Sequence, residues 1–391
     1  MGLDTSSHAF DRALLKQRIT PFLLNGDPID DLVSRAVAVS FASYYVAEWA
    51  LAVTNVQSAL FKDQFALVDQ QIEDTAEATK PGFFARLFGA KSPPPPPRPI
   101  APGLPGFDTD LHVWGRPFFI DGDTPDDVAD ELDRYLVAVE TGNDALDGVI
   151  KGTLASLERK RLIRPDDISD EMWATVTNGP SLLDVQAEIK PATTSFDDVK
   201  AQTLKRTQLW RDVLANKDLD AEVDLGDDED EDEPMTVEEA QFSLPLELVG
   251  FMSSLAPGWM SRGHGYASNL INMLRIKTDV FETPEEPFSE LVAIAPAMRD
   301  AFSDSIIDNF SLGGYVRPER IDELIQILDT HRDAMILAFD EDPKRAIAPH
   351  HLEMMSSDWR KIRETAAYAK RKGWGYIEGA EIYSGIMGMM N

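Results

Sequence analysis

The sequence predicts a mainly α fold, a multi-helix bundle-like body with two flexible insertions and little β structure. Three observations carry this. Long stretches keep apolar residues at helical spacing. Helix-start signals such as Asp27-Pro28, Thr124-Pro125 and Arg317-Pro318 recur ahead of them. In the first half of the chain only Val113 to Ile120 reads as a good strand.

The first helical spacing runs from Phe10 to Leu24, with a break expected at Pro21. Asp27 then caps a segment free of Pro and Gly to about Lys80, with Val33, Val37, Phe41, Tyr44, Trp49 and Val53 on its apolar face. The Leu32 to Phe61 window is the most apolar in the chain. Arg35 and Glu48 leave charge-free parts too short for a bilayer, so a buried core helix is expected and no transmembrane segment. Thr124 caps a helix to about Val139, and a second covers Asp144 to Arg161. Weaker helical patterns follow at Leu182 to Ile189 and Phe196 to Ala215. In the last third, Leu244 to Leu255, Ala267 to Arg275 and Glu286 to Phe310 read as helices, the last interrupted at Pro296. Gly313-Gly314 reads as a turn, Pro318 opens an amphipathic helix through Met335, and the final helix spans Pro349 to just before Gly373.

Two composition shifts divide the chain. Residues 81–107 are Pro-rich, with Pro93 to Pro97 forming an extended spacer that has no N–H to pair. Residues 218–239 hold thirteen acids and no base, including an unbroken run from Asp227 to Glu233. The expected order is an N-terminal helical segment (1–80), the Pro-rich linker, a middle helical region (108–217), the acidic linker and a C-terminal helical region (240–391).

Composition narrows the function classes. With 43% hydrophobic residues the 391-residue chain has ample core, which rejects global disorder. The absence of cysteine excludes disulfides, thiolate metal sites and a cysteine nucleophile, and fits a reducing compartment. A net charge of −31 repels nucleic acid and anionic lipid, so neither is an expected partner, whereas a basic protein is. The first ten residues lack the cationic and apolar pattern of a secretory signal, which gives a cytoplasmic expectation. Gly2 and Ser6 fit a loose myristoylation pattern on which nothing is built.

The acidic residues Asp227, Asp228, Glu229, Asp230, Glu231, Asp232 and Glu233 are the expected partner-binding group. They can imitate phosphates or dock on a basic surface, gaining association rate by steering. They can equally be a solvated linker, or fold back on the basic interval Lys344 to Lys372, which carries a local +5. A second expectation is a small-ligand or enzymatic pocket for an anionic substrate. Arg262, His264 and Tyr266 supply donors around two glycines, joined by His112 and Arg116. A surface turn and a stacked Trp114-Arg116 pair explain the same residues structurally.

Other motifs fall short. Pro93-x-x-Pro96-x-Arg98 has the spacing of an SH3-type ligand but reads as a spacer. The apolar Gly82 to Gly89 segment packs on its own core more readily than it inserts elsewhere. Asp121-x-Asp123-Thr124 matches four residues of a phosphohydrolase motif, yet Pro125 starts a helix at once, so it reads as an N-capping acidic turn. His350 and Glu353 share a face, and two ligands do not make a metal site. Gly89-Ala90-Lys91-Ser92 fails as a phosphate loop because prolines follow where a helix must begin. No metal or cofactor is expected.

Trp114-Gly115-Arg116-Pro117-Phe118-Phe119, Gly314-Tyr315-Val316-Arg317-Pro318-Glu319 and Gly373-Trp374-Gly375-Tyr376, with Met1-Gly2-Leu3-Asp4, resemble segments of uncharacterised bacterial proteins. The resemblance implies a bacterial cytoplasmic protein and carries no activity. The leading functional expectation is a non-enzymatic binding protein for a basic partner, with an immunity or inhibitor protein against a cationic bacterial toxin as one concrete form.

Overall fold

The computed structural model describes residues 4–53, 120, 124–164, 170–178, 181–189, 195–223, 235–256, 258–262, 266–306, 310–338 and 349–380. The fold is mainly α, and its helices pack on both faces of one small sheet.

Strand β1 (Asp4–Phe10) opens the chain. Asp11 then accepts from the Leu14 N–H and starts helix α1 (Arg12–Leu14). A wider π turn (Leu15–Ile19) leads without a break into α2 (Thr20–Asn25). Pro21 was expected to end the helix; it sits instead in the first turn of α2, where the wider winding before it accommodates a residue with no N–H. Gly26, at φ 78°, closes α2. Helix α3 (Asp30–Val53) is long and apolar enough to cross a membrane by length and composition, but two-thirds (67%) of its most apolar window is buried inside the fold, as in a core helix.

Helices α4 (Pro125–Thr141) and α5 (Asn143–Arg161) form an antiparallel pair. Thr124 and Asp127 make a reciprocal capping box at the start of α4, with Pro125 at its first position. Helix α6 (Asp170–Asn178) and a 3₁₀ turn (Asp184–Glu188) precede α7 (Phe196–Ala215), which Ser195 and Asp198 cap in the same way. Helix α8 (Val237–Leu255) carries a third box, Thr236 with Glu239, and tolerates Pro245 inside it.

Strand β2 (Gly258–Arg262) is followed by the two-turn helix α9 (Ala267–Met273) and by α10 (Glu285–Val292). The helix expected from Glu286 to Phe310 ends at Val292 and is followed by a 3₁₀ turn (Pro296–Ala301), as Pro296 dictates. Gly313-Gly314, expected as a turn, lies inside strand β3 (Leu312–Val316). A second 3₁₀ turn (Pro318–Arg320) leads into α11 (Ile321–Thr330) and α12 (Arg332–Ala338). The long α13 (Pro349–Lys372) ends at Gly373, at φ 70°, and the chain returns as β4 (Gly375–Ala380). The expected strand Val113 to Ile120 falls almost wholly outside the described residues.

The sheet order is β2-β1-β4-β3, antiparallel throughout. Its two central strands come from opposite ends of the sequence, with Ser7 opposite Glu378 and Ala9 opposite Tyr376. Side chains alternate between faces along each strand. Ala9 and Tyr376 join one core with Val46 and Trp49 of α3, Leu132 of α4, Leu324 of α11 and Ile362 of α13. Phe10 and Ile377 join a second core with Leu15, Trp210, Leu248, Phe288 and Met298. The sheet is thus the middle layer of three, with both faces covered.

Candidate functional site

Strands buried on both faces are normally apolar throughout. Here β1 reads Asp-Thr-Ser-Ser-His-Ala-Phe and β4 reads Gly-Tyr-Ile-Glu-Gly-Ala. Thr5, Ser6, Ser7, His8 and Glu378 are all buried, so each face of the sheet carries polar groups in its core. Buried polar groups are tolerated only where they are hydrogen-bonded.

Glu378 organises the first face. It has no exposed surface, and its carboxylate accepts from three donors. The Ser268 hydroxyl reaches Oε2 at 2.5 Å, the Ser268 backbone N–H reaches Oε1 at 3.2 Å, and the Tyr376 hydroxyl reaches Oε1 at 3.0 Å. Tyr376 OH pairs in turn with Ser7 Oγ at 2.8 Å, and Ser268 Oγ lies 3.2 Å from Ser305 Oγ. Local sequence explains the placement. Tyr376 and Glu378 are two apart on one strand and share a face, while Ser268 lies in the first turn of α9, where backbone N–H groups have no helical partner. A side chain on Gly314 would collide with this carboxyl, since an added Cβ would lie 2.2 Å from Oε2, and that residue also holds φ +54°.

Burial pushes the Glu378 carboxyl up to about 7, against the opposing pull of the Ser268 and Tyr376 hydrogen bonds. Burial, reinforced by the Glu378 charge, drives the Tyr376 hydroxyl well above its usual range, so it acts as a donor. Tyr266 is raised to about 12, by burial first and then by Glu378.

On the opposite face, His8 lies between two hydroxyls. Nε2 is 2.7 Å from Ser6 Oγ and Nδ1 is 2.6 Å from Ser253 Oγ of α8. The Gly379 carbonyl can only accept, and Ser6 donates to it at 3.2 Å. The chain of bonds is therefore consistent with Nε2–H donating to Ser6 and Ser253 donating to Nδ1. The base and hydroxyl have the relation found in nucleophilic catalysis, but all three side chains are buried and the orienting group is a hydroxyl, not a carboxylate. A fixed imidazole held in the core between two hydroxyls is what this arrangement supports.

The residues expected from sequence are placed unevenly. Tyr266 caps α9 and buries its ring, and its hydroxyl donates to the Ile306 carbonyl. Arg262 ends β2 opposite Asp4. His264, His112, Arg116 and the run Asp227 to Glu233 lie outside the described residues. The flanks of that run are described. Glu222 and Thr236 form an antiparallel bridge, Val223 N–H donates to the Met235 carbonyl at 2.8 Å, and Val237 N–H donates to the Ala221 carbonyl at 2.9 Å. The helices on either side also pack together. Trp210 of α7 meets Phe251 of α8 edge-on at 5.4 Å, Arg206 forks onto Glu247 at 2.6 and 2.7 Å, and Gln241 donates to the Val213 carbonyl at 3.1 Å. Among the described residues no group of three or more His, Cys, Asp or Glu is placed to hold a metal.

Comparison with protein-family models, curated proteins and solved structures finds no match to this chain.

Proposed function

We propose that the protein is a non-enzymatic binding protein that recognises a basic protein partner, with an immunity or inhibitor protein against a cationic bacterial toxin as its most concrete form. The observation that supports this best is the anchoring of the acidic stretch. The described residues on either side of 224–234 pair with each other between α7 and α8, and eight of those eleven intervening residues are Asp or Glu. Eight like charges between two fixed points repel one another and attract a cation strongly.

The rest of the charge distribution favours an external cation over the chain's own tail. Four of the described cations of α13 are already engaged with acids: Lys361 with Asp358, Arg363 with Asp329 and Glu364, Lys370 with Asp322, and Arg371 with Asp126. Arg12, Lys16, Arg18, Arg35, Arg206, Arg299, Arg317 and Arg320 are likewise paired with internal acids. With 68 acids to 37 bases, this internal pairing leaves the acidic excess for other molecules. The anionic-substrate pocket is the weaker reading, because Tyr266, one of its donors, spends its hydroxyl on Ile306.

Affinity capture from the source cell at low and high salt tests the proposal, using wild-type protein and a variant with Asp227 to Glu233 changed to Asn and Gln. A cationic protein held by the wild type at low salt, released at high salt and ignored by the variant supports it. Capture of the same proteins by both forms removes it.

A further inference from the structure

Glu378 takes no part in the partner recognition proposed above, yet four elements are built around it. Tyr376 reaches it along β4, Ser7 touches Tyr376 from β1, Ser268 binds it from α9, and the backbone of Gly314 in β3 closes the remaining side. Ser305, from the segment before β3, extends the hydroxyl chain through Ser268.

No described cation offsets this carboxyl. Helix α9 carries no charged residue. On α13, whose Ile362 and Ala366 join the same core as Tyr376, the buried Asp358 pairs with the half-buried Lys361 at 3.8 Å. Asp304, beside Ser305, is exposed. Besides Tyr376, Tyr266 feels the Glu378 charge at this end of α9, and its hydroxyl is committed to Ile306.

The two protonation states therefore make different demands. A protonated carboxyl is neutral and can donate to Ser268 Oγ, which passes its own hydrogen on to Ser305 Oγ. An ionised one is a buried charge that can gain water only if one of its walls moves. Three of the walls are strands paired within the sheet, and the fourth is the two-turn helix α9, seven residues long. We propose that Glu378 is a proton-operated latch: protonated, it locks the start of α9 onto β4, and loss of the proton loosens that helix from the sheet. Because burial already holds the carboxyl near neutrality, the latch operates across the physiological range.

Hydrogen–deuterium exchange of the full chain, corrected for the intrinsic pH dependence of the exchange chemistry, tests this directly. In wild type, amides of residues 266–274 are expected to exchange about tenfold faster at pH 8.5 than at pH 5.5, an opening set by roughly one pKa unit of coupling. The same amides in Glu378→Gln are expected to show no such change. Wild-type exchange that stays flat, or that changes in parallel in both proteins, overturns the latch. Should Glu378→Gln fail to fold, Tyr376→Phe serves. Losing a donor to the ionised carboxylate must move the wild-type transition to higher pH, and an unmoved midpoint overturns the proposal equally.

Discussion

Glu378 keeps its proton at a pH where most glutamates have lost theirs, because burial raises its carboxyl from the ordinary 4.5 to about 7. The folded protein thus binds one more proton than the unfolded chain between those two values. The stability linked to this group is fully present below about pH 4.5 and is lost as pH rises through about 7. Other carboxyls work the other way: Asp31, held below the usual range by Arg18, and Glu286, which burial pushes up but Lys16 and Arg12 pull below the usual range, add stability as pH rises. The Glu378 contribution has to be read as a difference between two proteins. Replacing it with Gln, the neutral shape of the protonated acid, is expected to raise stability relative to wild type by up to about 3 kcal/mol on going from pH 5 to pH 8. Denaturant unfolding at the two pH values measures this, and a difference that does not grow with pH contradicts the burial argument.

Elements were legible in the sequence wherever the deciding chemistry is local. The helices starting at Pro125 and Phe196, and the one ending at Gly373, follow from capping residues and glycines within a few positions of each boundary. The strands were not. β1 places Ser-Ser-His at buried positions and β4 contains two glycines and a glutamate, so neither shows the apolar alternation that marks a strand. Their stability comes from pairing with each other across nearly the whole chain, which no short window contains. The Gly313-Gly314 pair read as a turn for a related reason. Those glycines serve close approach, to the Ser305 backbone and to the Glu378 carboxyl, and only the fold reveals either neighbour. The buried site was missed with the strands that carry it; the one sequence signal was a lone glutamate between apolar and small residues. At this scale the capping box of α8 also forms part of the stem beneath the acidic stretch. Thr236→Ala is expected to cost about 1 kcal/mol in thermal or chemical unfolding, since it removes the hydroxyl that accepts from the Glu239 N–H. A change indistinguishable from zero means the stem is not held there.

For the molecule as a whole, the chain's two ends meet at the centre of the sheet, so the fold depends on sequence-distant pairing. Deleting residues 1–10 exposes unpaired edges on β2 and β4 and removes Phe10 from between the rings of Phe288 and Tyr315. The truncated protein is expected to lose its cooperative thermal transition while keeping much helical signal by circular dichroism. A sharp transition near the wild-type temperature contradicts a central role for β1. The other whole-molecule property is charge, and the proposed function rests on it. The described residues that flank the acidic stretch pair with each other beside packed helices, its charge has no counterpart in its own sequence neighbourhood, and many of the described cations elsewhere pair with internal acids. The most direct test is calorimetric titration of the captured basic partner, at two salt concentrations, into wild type and into the protein with Asp227 to Glu233 neutralised. Recognition through this stretch predicts that neutralisation weakens affinity about tenfold or more and flattens its dependence on salt. Equal affinity and equal salt dependence for the two proteins contradict it.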